Sequence, residues 1–93
     1  MSELKIEFET AKSSMDEIRP HLEAALKKQF PGGLLKQSWA DGALELSGPG
    51  AQGSIRVEAG KLVGTATLRP PASMMRAVIE EKISAAMQEA AGA

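Results

Sequence analysis

The sequence predicts a single α+β domain over residues 1–93, with the element order β-α-β-β-β-β-α. Two segments place apolar residues at helical spacing, and the segments at 4–9 and 34–68 alternate apolar and polar residues between turn signals. The turns also set strand pairings that bring the apolar residues onto one face. We therefore expect an antiparallel sheet with both helices packed on its apolar face.

The first strand and the first helix follow from spacing. Residues 4–9 read LKIEFE, the strict alternation of a half-buried strand. Ser14 and Glu17 have the spacing of a capping box. Pro20 lacks a backbone donor and disfavours helix at Arg19, so we expect either a kink or a separate first turn, with the regular helix over about 20–30. The residues at helical spacing are Met15, Ile18, Leu22, Ala25, Leu26 and Phe30.

Three turns predict how the later strands pair. Asp-Gly at 41–42 is a strong hairpin signal, and a tight turn at 59–60 places Glu58 opposite Lys61. A four-residue loop at 48–51 keeps the same face inward. The predicted inner residues are Trp39, Leu44, Leu46, Ile55, Val57 and Leu62, with Trp39 in the core opposite Leu44. The predicted outer residues are Glu45, Ser54, Arg56, Glu58, Lys61, Thr65 and Thr67.

Gly48, Gly50 and Gly53 have the G-x-G-x-x-G spacing of a dinucleotide-binding turn. That motif needs a helix after it, because the helix N-terminus holds the pyrophosphate. Here the residues that follow, SIRVEA, alternate as a strand. We therefore expect Gly48 and Gly50 to form a turn without a nucleotide, and Gly53 to lie where a helix side chain packs closely against the sheet.

The last helix is predicted after Pro70 and Pro71, which cannot continue the sheet ladder. Ser73 is the expected N-cap. Apolar residues then recur at helical spacing, at Met75, Val78, Ile79, Ile83, Ala86, Met87 and Ala90.

The composition excludes several classes of protein. Eleven basic and twelve acidic residues give a net charge of −1, whereas a nucleic-acid-binding domain is usually clearly basic. The chain has no cysteine, so it has no disulfide and no thiolate metal site. No secretory signal or membrane-spanning run is visible. We expect a cytoplasmic protein with no membrane span and no nucleic-acid partner.

The residues also predict no enzyme. His21 is the single histidine, and it lies off the apolar stripe of its helix without a convergent partner. The acidic pairs at 16–17 and 80–81 diverge on their helices, and no serine lies in a G-x-S-x-G elbow. We therefore assign no catalytic residue, no metal ligand and no cofactor site.

Methionine suits adaptable surfaces that meet variable apolar partners. Met74, Met75 and Met87 fall on the predicted last helix, near Val78. A helix at the chain end can cover the core with one flank and meet a partner with the other. We therefore predict partner or ligand contact at Met74, Met75, Val78 and Met87, with ordinary core filling as the alternative for the methionines.

The whole pattern resembles the polyhydroxyalkanoic acid system family of small bacterial proteins tied to polyhydroxyalkanoate granules. The features that carry it are Trp39 before the turn at 41–42, the stretch LELSGPGAQGSI from Leu44 to Ile55, and the closing amphipathic helix. Arg69-Pro70-Pro71 departs from the bulky apolar segment usual in that family. The expected fold is also similar to a minimal helix-grip arrangement.

The resemblance implies a link to bacterial storage polyester but transfers no catalytic residues. It favours a non-catalytic binding protein that contacts the granule, an acyl ligand or a granule protein. The alternative is a structural protein that forms homo-oligomers, such as a homodimer, and binds no small ligand.

Overall fold

The computed structural model describes residues 2–12, 14–31, 35–40 and 42–92. Its strands are β1 (Ser2–Glu9), β2 (Lys36–Ala40), β3 (Ala43–Gly48), β4 (Ala51–Glu58) and β5 (Lys61–Leu68). Its helices are α1 (Met15–Gln29), a short 3₁₀ helix (Ala72–Met75) and α2 (Arg76–Ala91). The order of strands and α-helices is the one the sequence predicts.

The five strands form one antiparallel sheet in the spatial order β1-β5-β4-β3-β2. Strands β2 to β5 are successive hairpin neighbours, while β1 pairs with β5 at the far edge. The chain therefore crosses from one sheet edge to the other through α1. This arrangement confirms the predicted α+β fold with an antiparallel sheet.

The predicted pairings are confirmed residue by residue. Trp39 lies opposite Leu44, and Leu46 lies opposite Gly53. Glu58 lies opposite Lys61, although the ion pair found for Lys61 reaches Glu7 on β1, at 4.0 Å. The middle connection is shorter than the expected four residues. Positions 48 and 51 already pair, which leaves a two-residue turn.

The first helix is longer than predicted. It begins at Met15 and continues through Pro20. The prediction of a separate first turn is therefore wrong, and the regular helix starts five residues before the predicted start at about residue 20. Ile18 and Leu22, on either side of the proline, are fully buried, and their packing outweighs the lost backbone hydrogen bond. Ser14 is the N-cap with an extended backbone, but its hydroxyl makes no capping hydrogen bond.

The start of the last helix also differs from the prediction. Ser73 is not an N-cap, because it lies inside the 3₁₀ helix and donates its backbone N–H to the Arg69 carbonyl at 3.1 Å. Met74 and Met75 belong to this 3₁₀ helix, and α2 begins only at Arg76. The guanidinium of Arg76 donates to the Glu3 carbonyl at 3.1 Å and so ties the start of α2 to β1.

Both helices cover the same sheet face and share one core with it. The buried members of this core are Met15, Ile18, Leu22, Ala25, Leu26, Leu44, Leu46, Ile55, Leu62, Ile83, Ala86, Met87 and Ala90. Gly64 of β5 is the glycine against which a helix side chain packs, since a Cβ there would lie 2.7 Å from Met87 Sδ. That corrects the expectation for Gly53, where a Cβ would instead meet Thr65 and Ala66 of the neighbouring strand.

Trp39 is half-buried at the sheet edge and packs against the core. Its indole N–H donates to Glu23 Oε2 at 3.0 Å, and the Arg19 guanidinium lies 4.7 Å from its ring centroid. Arg19 and Glu23 also form an ion pair at 3.7 Å. Trp39 therefore faces inward as predicted, and it joins β2 to α1 through polar contacts that the apolar pattern does not contain.

Candidate functional site

An apolar groove lies between the two helices at one end of the sheet. Its volume is about 380 Å³. The sheet contributes its base, the end of α1 contributes one wall, and the 3₁₀ helix with the first half of α2 contributes the other. The lining residues are Gln29, Phe30, Pro31, Leu35, Leu46, Gly48, Pro49, Ala51, Gln52, Gly53, Ala66, Leu68, Pro71, Ala72, Met75, Val78, Ile79, Lys82 and Ile83.

The groove exists because the inward side chains of the central strand change size along its length. Strand β4 turns residues 51, 53, 55 and 57 toward the helices, by the alternation of a strand. Ala51 and Gly53 lie at the groove, whereas Ile55 and Val57 pack with the core. Ala66, opposite Gly53, is also small. The sheet therefore leaves space at this end that larger side chains fill at the other end.

The glycines of the G-x-G-x-x-G spacing serve the turn and the base of this groove. Gly50 has a φ of 75°, which the residue after a proline in a type II turn requires. Its carbonyl accepts the backbone N–H of Arg69 at 2.7 Å, and a Cβ at Gly50 would collide with the Arg69 carbonyl oxygen. As predicted, a strand follows the motif instead of a helix.

The second wall is apolar and open to solvent. Met75 is 56% exposed and Val78 is 43% exposed, and both line the groove. Ile79 and Ile83 lie deeper on the same wall, and Ile83 belongs to the core. An apolar ligand in the groove would therefore cover side chains that otherwise meet water, which is a favourable exchange.

One charged side chain stands among the described residues that line the groove. Lys82 of α2 is half-buried, and its Nζ donates to the carbonyl of Gln29, the last residue of α1, at 3.2 Å. The same Nζ lies 5.9 Å from the centroid of the Phe30 ring. A lysine near the end of a helix satisfies a free carbonyl and complements the helix dipole. Lys82 therefore links the two walls.

The four residues predicted to contact a partner have different positions. Met75 and Val78 line the groove, and Met74 is 82% exposed beside it. Met87 has no exposed surface and packs at Gly64 in the core. Core filling is thus the role of Met87, and partner contact stays a prediction for the exposed residues Met74, Met75 and Val78.

The other sequence candidates lie apart from the groove. His21 is exposed on α1. Across the described ranges, no group of three His, Cys, Asp or Glu side chains could hold a metal ion. A depression of about 530 Å³ on the outer sheet face is lined by charges of both signs, including Glu3, Lys5 and Glu45. A ligand in that depression would therefore meet both signs of charge beside a mixture of polar and apolar side chains.

The sequence patterns did not identify the base of the groove or Lys82. The inward positions of β4 change from Ala and Gly to Ile and Val along the strand, and this change in size could have indicated the groove. Phe30 and Lys82 gave no comparable signal, because their approach depends on how the two helices pack.

Comparisons of this chain with family models, with curated proteins and with solved structures found no match. Of the helices in the described part of the chain, none combines the length and the apolar character that crossing a membrane requires.

Proposed function

We propose that this protein is a non-catalytic binding protein of the bacterial polyhydroxyalkanoate storage system, and that the groove binds an acyl chain. The observation that carries the proposal is the apolar groove of about 380 Å³ between the helices. Ligand sites in proteins occupy roughly 300–1,000 Å³ and are mostly apolar with a few polar groups. The storage setting rests on the resemblance of residues 36–68 and of the last helix to the granule-linked family.

The chemistry of the lining supports binding without catalysis. The polar side chains among the described lining residues are those of Gln29, Gln52 and Lys82. No Ser, Cys, His or carboxylate side chain is among the described lining residues. Acyl transfer or hydrolysis requires a nucleophile beside a base, with donors for the developing charge. The groove therefore supports binding of an acyl chain better than cleavage of one.

The first experiment is a chain-length series. The methyl esters of hexanoic, octanoic, decanoic and dodecanoic acid are titrated against protein loaded with the neutral dye Nile red. Each methylene buried is worth about 0.8 kcal/mol, so affinity should rise about fourfold per methylene until the groove is full. A series with no dependence on chain length, or no displacement at all, would contradict the proposal.

A substitution that fills the groove locates the binding site. Ala51→Leu adds three carbons at the base of the groove, and it should weaken ester binding by about tenfold because it occupies ligand space. Ala24→Leu adds the same atoms at an exposed position on α1 and should leave binding unchanged. Equal affinities of the two variants would place the ligand elsewhere. A circular-dichroism melt shows that both variants are folded.

The proposed link to the polyhydroxyalkanoate storage system is tested by a separate experiment. The protein is mixed with purified polyhydroxyalkanoate granules and sedimented with them. We expect co-sedimentation of the wild type and of Ala24→Leu, and reduced co-sedimentation of Ala51→Leu. If the protein binds the esters but does not sediment with granules, the proposed acyl site stands and the granule surface is excluded as its partner.

The exposure of Met74, Met75 and Val78 favours self-association as a second candidate function. These three are the large apolar side chains found exposed among the described residues, and they lie together where α2 begins. A homodimer formed there should dissociate in Met74→Glu, which places a charge in the interface, but not in Ala24→Glu. Sedimentation equilibrium measures both, and a monomeric wild type would contradict this candidate.

A further inference from the structure

We infer that the ligand of the groove is an aliphatic carboxylate, with its apolar tail on the sheet and its carboxylate at Lys82 Nζ. The inference rests on the proposed function and specifies the ligand further. Its basis is the position of one cation at the wall of a groove whose other described lining residues are uncharged.

The charges of the groove are complementary to an anion. Lys82 is the one charged side chain among the described lining residues, and the others are apolar or neutral. The ion pairs found among the described residues are Lys5–Glu7, Lys61–Glu7 and Arg19–Glu23, so none of them uses Lys82. The positive charge of Lys82 is therefore not neutralised by an ion pair within the described chain.

The donors of Lys82 leave room for a ligand. An ammonium group has three N–H donors, and the Gln29 carbonyl accepts one of them. Two remain for the oxygens of a carboxylate, and hydrogen bonds between charged groups are stronger than neutral ones. The contact with Gln29 also holds Nζ between the walls, which reduces the side-chain entropy lost when a ligand binds.

The arrangement suits an amphiphile with one charged end. Phe30 lies beside Nζ, and Val78 and Ile79 lie one turn before Lys82 along α2. Ala51 and Gly53 lie on the base of the groove. A single aliphatic chain that starts at Nζ can follow these apolar residues over the sheet. A dianion such as a phosphate monoester would leave its second charge without a cation, since the described lining has one.

The experiment compares decanoate with its methyl ester, which has the same tail and no charge. The quantity measured is the ratio of their dissociation constants, by Nile red displacement. In Lys82→Gln, decanoate should bind about tenfold more weakly while the ester is unchanged. Lys28→Gln removes an exposed lysine from the last turn of α1 and is the control, in which the ratio should stay at the wild-type value. Lys82→Arg, which keeps the charge, should also keep the ratio near wild type.

The possible results separate the two proposals. If both ligands bind and Lys82→Gln does not change the ratio, the carboxylate assignment is overturned and the acyl site stands. If neither ligand binds the wild type, the proposed function is overturned and this inference with it. Should Lys82→Gln unfold in a circular-dichroism melt because the Gln29 contact is lost, Lys82→Met replaces it. Selective loss of decanoate binding in Lys82→Met supports the inference, and an unchanged ratio or unfolding of Lys82→Met overturns it.

Discussion

The two ends of the sheet have the same strands and the same two helices, yet one end is closed and the other is open. At the closed end, Ile55 of β4 packs with Leu44, Leu62 and Met87 in the core. At the open end, Gly53 and its neighbours leave a groove of about 380 Å³. The size of the inward side chains on one strand therefore decides whether the helix layer closes over the sheet.

The last helix has the same division along its length. Its second half is core, with Ala86, Met87 and Ala90 buried, and Ile83 at the end of the first half is buried as well. Val78, in its first turn, is 43% exposed and lines the groove. One apolar stripe thus serves two purposes, because the sheet beneath it changes from large to small side chains.

The largest expected effect comes from Leu→Ala at two inward-facing positions of β3, one at the closed end and one at the groove. Leu44 and Leu46 are both buried, but only Leu46 lines the groove. Leu44→Ala should lower the free energy of unfolding by about 4 kcal/mol, because it leaves an enclosed cavity. Leu46→Ala should cost about 2–3 kcal/mol, since the space it leaves joins the groove and the cavity term is smaller. Urea unfolding measures both, and equal losses would mean that the two ends are packed alike.

Substitutions of Trp39 test the packing of the edge strand β2 at the closed end. Trp39→Ala should lower the free energy of unfolding by roughly 2–3 kcal/mol, below the range for a fully buried tryptophan because the ring is half-buried. Trp39→Phe keeps an aromatic ring and removes the N–H that binds Glu23, so about 1 kcal/mol should be lost. If chemical denaturation showed no difference between the two variants, the indole ring would not be part of the core packing.

Adding volume should cost more stability at the closed end than at the open end. Gly64→Ala places a Cβ 2.7 Å from Met87 Sδ, and overpacking of this kind costs about 1–3 kcal/mol. Ala51→Val adds volume at the groove and should cost less than about 0.5 kcal/mol. Met87→Ala should also cost less in the Gly64→Ala background than in the wild type. Additive losses in that double-mutant cycle would contradict the assigned contact.

The smallest effect concerns the turn at the closed end, between β4 and β5. Ala59 has a φ of 49° and Gly60 a φ of 78°, the combination of a type I′ turn. A side chain with a Cβ is unfavourable there, and asparagine tolerates this conformation better than alanine. Ala59→Asn should raise the free energy of unfolding by about 0.5 kcal/mol. A lower melting temperature for this variant in calorimetry would contradict the turn geometry.

Much of the sheet could be predicted because the turns and the alternating apolar residues that set its strand pairing lie close together in the sequence. A two-residue turn fixes which residues of a hairpin face each other, and one error in register would turn every apolar side chain outward. The pair Trp39–Leu44 follows from such a turn, and Leu46–Gly53 follows from the four-residue loop predicted at 48–51, which has the same register as the two-residue turn observed. The boundaries of the helices were less predictable. Buried residues on both sides of Pro20 hold α1 together across it, and Ser73 lies in a 3₁₀ turn that no spacing pattern indicates.

The sequence alone determined the element order, the register of the later hairpins and the face that the helices cover. Three features depend on how the elements pack together: β1 pairs with β5, Met87 is core while Met75 borders a groove, and Lys82 reaches the end of α1. The physical reason is that hydrophobic periodicity reports which face of an element is apolar. It does not report the size of the side chains that lie opposite, and here those decide between a packed core and an open site.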